Sequence, residues 1–134
     1  MDYDDQTSPF RFDDAILHLG PSSATVVRDF SWSEIGEYAT RFAGDGAQGR
    51  LVTMGRQAES WTSWERHPAG EELVLLLNGR VDLIQELDGQ EHRIELHAGD
   101  GVLNPPGVWH TTDVHEPGDA LFITPGEGTA HKPR

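Results

Sequence analysis

Gly99-Asp100-Gly101-Val102-Leu103-Asn104-Pro105-Pro106-Gly107-Val108-Trp109-His110 is the stretch on which the fold of this chain turns. Gly99-Asp100-Gly101 and Pro105-Pro106-Gly107 are two turn signals flanking a short run, and His110 opens another run just past the second turn. On a strand beginning there, Thr112 shares the face of His110 and Trp109 takes the opposite face.

The same grammar of short runs and turns extends in both directions. Glu72-Leu73-Val74-Leu75-Leu76-Leu77 is apolar on both parities, as expected of a strand covered on both faces, and Asn78-Gly79 ends it. Val81, Leu83 and Leu87 keep one parity up to Asp88-Gly89, a dipeptide favoured in tight hairpins because both residues tolerate positive φ. Ile94 and Leu96 return beyond it, with Glu91, Arg93 and Glu95 on the other face. Ala120-Leu121-Phe122-Ile123-Thr124 supplies a last strand before Pro125-Gly126. Many short strands separated by turn residues predict an all-β antiparallel sandwich or barrel.

Upstream the text is less regular. Residues 1–14 hold five acids and one arginine with little periodicity, which reads as a mobile or loosely docked arm. Ala15-Ile16-Leu17-His18-Leu19 and Ala24-Thr25-Val26-Val27 read as strands around the turn signal Gly20-Pro21. Ser31 and Glu34 have the spacing of a capping box, and Trp32, Ile35, Ala39 and Phe42 follow at helical spacing, so one short helix is expected. The resulting division is an N-terminal extension over 1–47 that packs on the barrel, a barrel over 48–126 and a flexible tail over 127–134.

Composition narrows the function. A length of 134 residues suits one domain. Twenty-three acidic against ten basic residues leave a net charge of −13, which repels phosphate backbones and anionic bilayers, so neither nucleic acid nor membrane is an expected partner. With no cysteine there is no disulfide, no thiolate chemistry and no cysteine-built zinc site, and any metal must take nitrogen and oxygen ligands. Met1-Asp2-Tyr3-Asp4-Asp5 lacks a basic region and an apolar core, and the longest apolar run, Leu73 to Leu77, is far below bilayer-spanning length. A soluble, cytoplasmic protein is the expectation.

Within that frame four side chains stand out. Glu65 and His67, two apart on a strand, project to one face while Trp64 and Arg66 take the other; Glu72 follows on the parity of Val74 and Leu76; and His110 comes from a separate strand. Two imidazoles and two carboxylates without thiolate suit Fe(II), Mn(II), Ni(II) or Zn(II), with open positions for a substrate. Glu71 competes with Glu72, but parity assigns it to the surface. His18, His92, His97, His115 and His131 have no convergent partner in sequence, although His92 shares the parity of Ile94 and Leu96. Trp61, Trp64 and Trp109 lie beside the four residues; Trp64 and Trp109 are expected to pack between sheets because their parity opposes the cluster.

At these residues the chain resembles the cupin superfamily of small double-sheet jelly-roll barrels. Gly99, Pro105, Gly107 and His110 satisfy the superfamily's second motif, and His67, Glu72 and Gly79 satisfy the second half of its first. Glu65 stands where that motif has its first histidine, and Glu59 where it has a glycine. The resemblance implies a double-stranded β-helix, a divalent metal ion on His67, Glu72 and His110, and packing of sheets into a homodimer. Glu65 becomes a fourth ligand or a carboxylate base beside the substrate. Cupins include dioxygenases, isomerases, lyases and decarboxylases, so the implied function is a metal-dependent enzyme on a small organic molecule. The alternative is a non-catalytic small-molecule binding or sensing module, with or without a metal.

Overall fold

The computed structural model describes residues 9–134, so most of the acidic arm read from the sequence lies outside the described residues. Two short strands, β1 (Ala15–Leu19) and β2 (Thr25–Asp29), precede one helix, α1 (Ile35–Arg41). Then follow β3 (Arg50–Gln57), β4 (Ser63–Arg66), β5 (Glu72–Leu76), β6 (Arg80–Leu87), β7 (Gln90–His97), β8 (Gly101–Asn104), β9 (His110–Glu116), β10 (Gly118–Thr124) and β11 (Ala130–Pro133). They form a six-stranded sheet in the order β2-β1-β3-β10-β5-β8 and a five-stranded sheet in the order β11-β4-β9-β6-β7. The pairings are antiparallel, and the two facing sheets make the double-stranded β-helix expected from the sequence.

Two apolar clusters hold the sheets and leave a space between them. Leu76, Val81, Leu83, Leu96 and Ala120 form one, with Phe122 packed against it; Ile16, Tyr38 and Leu51 form the other beneath α1, with Phe30 and Phe42. Fully burying each such aliphatic side chain contributes about 1.5–3 kcal/mol. The β6–β7 hairpin turns at Asp88 and Gly89, both at positive φ (53° and 76°), as the dipeptide predicts. Gly79 is required for a different reason. At φ 86° a Cβ there would lie 2.7 Å from the Glu116 carbonyl oxygen, because the turn into β6 presses against the turn into β10.

Three expectations need correction. Ser31 does not cap through its side chain; its Oγ meets Ser33 Oγ at 2.7 Å instead. The reason is that Trp32–Glu34 is a turn of 3-10 helix, whose Glu34 N–H donates to the Ser31 carbonyl at 2.8 Å and is no longer available to a capping side chain. The N-terminal extension does not simply lie on a finished barrel, since β1 pairs edge-on with β3 and lengthens the six-stranded sheet. And in place of a flexible tail, β11 pairs with β4 through Ala130↔Arg66, His131↔Glu65, Lys132↔Trp64 and Pro133↔Ser63.

The outer faces of the sheets differ. On the five-stranded sheet, Lys132 Nζ lies 4.7 Å from the Trp109 ring centre and 5.7 Å from that of Trp64, and the Arg66 guanidinium lies 4.6 Å from Trp109. These two tryptophans therefore pack under cations on the face away from the cluster. The six-stranded sheet instead carries an apolar row across its strands, in register from Val27 through Leu17, Val52, Ile123 and Leu73 to Leu103. Leu103 is 52% exposed and Leu77, on the same face, 40%.

Candidate metal centre

Strand pairing brings the four candidate residues together from both sheets. Glu65 on β4 registers with His110 on β9 and with His131 on β11, so it sits mid-row in the five-stranded sheet. Glu72 opens β5 in the facing sheet. His67 follows the end of β4, where Gly107 N–H donates to its carbonyl at 3.0 Å and ties the two motif segments together. Glu71 is exposed, as parity predicts.

The donor atoms converge. One ligand atom from each of Glu65, His67, Glu72 and His110 can be chosen so that all lie within 4.8 Å of one another. His67 Nε2 is 2.9 Å from Glu65 Oε1 and 3.1 Å from Glu72 Oε2. His110 Nε2 is 3.2 Å from Glu72 Oε1 and 3.6 Å from Glu65 Oε1. Yet among the described residues neither buried Nε2 makes a well-formed hydrogen bond, close as the carboxylate oxygens lie. Such orphaned groups are costly. Adjacent ligands about 2.1 Å from one ion would stand about 3 Å apart, so these donors fit a single divalent cation.

Surrounding groups hold the cluster in a ligating form. The Val108 carbonyl, 3.3 Å from His110 Nδ1, can only accept, so Nδ1 carries the proton and Nε2 keeps its lone pair in the neutral ring. His67 Nδ1 contacts Thr129 Oγ1 at 2.8 Å. Glu72 accepts from Asn104 Nδ2 at 3.1 Å and from Thr124 Oγ1 at 2.6 Å, and Asn104 accepts in turn from Gln85 Nε2 at 3.0 Å. Glu65 Oε2 lies 2.7 Å from Nε2 of the exposed His131 ring.

Charge follows this packing. Burial alone would raise the Glu72 carboxyl pKa, but His110 and His67 outweigh it and hold it down at about 2. Glu65, also buried, is held far below the ordinary carboxylate range by His110, His67 and His131. Burial would depress the His67 imidazole, but Glu65 and Glu72 push it up to about 9, and His110 is raised by the same carboxylates. In the metal-free chain the two carboxylates thus favour the protonated form of both imidazoles.

The cluster lies at one side of a cavity of about 800 Å3. Trp61 and Phe122 line it, and the Trp61 ring centre is 6.3 Å from that of His110. The apolar stripe of Trp32, Ile35, Ala39 and Phe42 also faces this cavity, with Trp32 and Ile35 exposed at its rim. His92 does not approach it and is exposed on β7.

Sequence reasoning did not single out the residues that orient the cluster. Asn104 shares the inward parity of Val102, Thr124 that of Phe122, and Gln85 that of Leu83, so a polar residue on an apolar inward face was the available signal. His131 and Thr129 carried no local signal at all, being 66 and 62 residues from their partners.

A protein-family profile described as Cupin domain matches residues 50–124. Among solved structures the chain is similar to an uncharacterized conserved protein with double-stranded beta-helix domain from Klebsiella pneumoniae. That likeness has 21% identity and a TM-score of 0.52 and covers 63% of this chain and 76% of the other. It is also similar to a cupin-2 domain containing protein from Shewanella frigidimarina (19%, TM-score 0.48, 63% and 71% covered). A third similar structure is hydroquinone 1,2-dioxygenase from Sphingomonas with 4-hydroxybenzoate bound (18%, TM-score 0.47, 56% and 58% covered). No curated protein sequence matches the chain.

Proposed function

The chain belongs to the cupin domain family, and from that premise we propose that it is a metal-dependent enzyme acting on a small organic molecule, of dioxygenase, isomerase or lyase type. Glu65, His67, Glu72 and His110 would hold one divalent ion, Fe, Mn, Ni or Zn. The observation that carries this reading is the pair of buried, unpartnered Nε2 atoms beside two carboxylates. A bound ion would supply Lewis-acid polarisation of a substrate oxygen. The chain's own part is to shape the site: Trp61 and Phe122 wall the substrate from water, and Asn104 and Thr124 keep Glu72 in place. If displaced from the ion, Glu65 serves instead as a base beside the substrate, with a proton route from its Oε2 to His131 Nε2 at the surface.

The test is metal loading followed by turnover. Purified protein titrated with Fe(II), Mn(II), Ni(II) or Zn(II) is expected to bind about one equivalent per chain. The loaded protein is then expected to turn over a member of a panel of diketones, phenolic acids and small sugars, followed by oxygen uptake and product formation. A second reading, a binding or sensing module without catalysis, is favoured by one observation: two imidazoles can balance two carboxylates with no ion present. Ligand-induced stabilisation without turnover across the panel decides for that module.

We also propose a homodimer formed through the apolar face of the six-stranded sheet, where Leu77 and Leu103 stand exposed. Sedimentation velocity should give twice the chain mass, and Leu103→Asp should return the monomer. A wild-type monomer at micromolar concentration defeats this assignment.

A further inference from the structure

Away from the candidate metal centre, a second polar cluster lines the same cavity. His18 on β1 is 2% exposed, and its Nδ1 lies 2.6 Å from the Tyr38 hydroxyl of α1. Its Nε2 lies 2.6 Å from Asp45 Oδ2, on the 3-10 turn after α1. The ring stacks on Phe42 with 3.7 Å between centres and 15° between planes. Gly49 makes the seat: a Cβ there would lie 2.9 Å from His18 Cε1 and 3.1 Å from Asp45 Cβ. A helix and the turn that follows it, 20 and 27 residues from His18 at Tyr38 and Asp45, thus converge on one imidazole of β1, and a glycine leaves it room.

The direction of these hydrogen bonds follows from the groups. A carboxylate only accepts, so His18 Nε2–H donates to Asp45, and in that tautomer Nδ1 keeps its lone pair and accepts from the Tyr38 hydroxyl. Burial, and then the charge of Asp45, push the Tyr38 pKa well above its ordinary value, so the phenol keeps its proton. With its hydrogen committed to His18, the Tyr38 oxygen retains a lone pair. Tyr38 and His18 both line the cavity, as do Phe42, Leu51, Trp61 and Phe122.

We propose that His18, Tyr38 and Asp45 form a metal-independent anchor that binds the hydroxyl of a small hydroxylated aromatic molecule through the Tyr38 oxygen. The aromatic walls accept a flat apolar body, and the oriented phenol accepts a hydrogen bond from the ligand's hydroxyl. Asp45 and His18 are positioning residues, fixing which way the Tyr38 proton points. A network that only fastened α1 to β1 would show no preference among ligands.

Three neutral probes and the chelator-treated chain test this: 4-methylphenol, toluene and 4-methylanisole, of which only the first has a hydroxyl. Binding is followed by NMR at the Trp61 indole N–H, which donates to Gln57 Oε1 at 2.8 Å beside the cavity. The phenol is expected to bind about three- to tenfold more tightly than the other two, the value of one neutral hydrogen bond. Tyr38→Phe should reduce that advantage over toluene to less than about twofold. Equal binding of the phenol and its methyl ether by the wild type overturns the proposal without recourse to a variant. So does a preference that survives Tyr38→Phe, or no binding of the phenol at millimolar concentration. Because probes and protein are metal-free, these outcomes are separate from any failure of the metal assignment.

Discussion

His110→Ala is expected to lower divalent-metal affinity about 100-fold or more, measured by competition against a chromophoric chelator. Structural zinc sites of four ligands bind with about 10–16 kcal/mol, which on that scale gives one ligand of four roughly 2.5–4 kcal/mol, and each 1.4 kcal/mol is tenfold. His110 is 1% exposed, its Nε2 has no hydrogen-bond partner, and Val108 orients it, so water cannot readily replace its lone pair at the same place. The metal-free variant should also be less stable, since Glu72, 2% exposed, loses the imidazole nitrogen 3.2 Å away. His92→Ala, on exposed β7, is the control and should leave affinity unchanged. Wild-type affinity in His110→Ala would remove the metal centre from consideration.

Metal affinity should climb steeply with pH, by up to about tenfold per unit for each proton displaced, giving about 50-fold between pH 7 and 9 for the His67 proton alone. The sign comes from the metal-free cluster. Burial opposes the imidazolium of His67, but Glu65 and Glu72 push its pKa up to about 9, so below that pH the ion must displace a proton. His110 is raised in the same direction. Stability of the metal-free chain should run the other way. The contribution of His67 is complete below its unfolded value of about 6.5 and is lost as pH rises through about 9. That of Glu72 is complete above its unfolded value of about 4.5 and is lost as pH falls toward 2. Melting of chelator-treated protein should therefore peak between these windows while the metal-induced shift keeps growing toward pH 9. Calorimetric titration with Mn(II) in two buffers of different ionisation enthalpy counts the protons; an affinity flat from pH 7 to 9 contradicts the imidazolium cluster.

The apolar stripe on α1 shows where local pattern stops being informative. Its helical spacing was legible, yet a spacing that usually marks core here lines a cavity, with Trp32 66% exposed and Tyr38 the buried residue instead. Periodicity reports that a face is apolar, not what it faces. The same holds for Leu73, Leu75 and Leu77, whose apolar parity predicted a cover that the N-terminal strands do not provide, since they joined the sheet edge.

By itself the sequence determined the strand-and-turn order, the facing of Glu65, His67, Glu72 and His110, and the absence of thiolate chemistry. The last is composition, and the others rest on local rules: side chains alternate along a strand, and glycine and proline set turns. Only the tertiary structure decided what surrounds those side chains. Glu65 meets His131 because a short polar edge strand, β11, pairs with β4, and an edge strand exposed to water needs no apolar alternation to announce it. His18 meets Tyr38 and Asp45 across 20 and 27 residues, because β1 adds to the sheet and carries α1 over the cavity. Contacts of that kind arise from chain closure, for which no spacing in the sequence provides a signal.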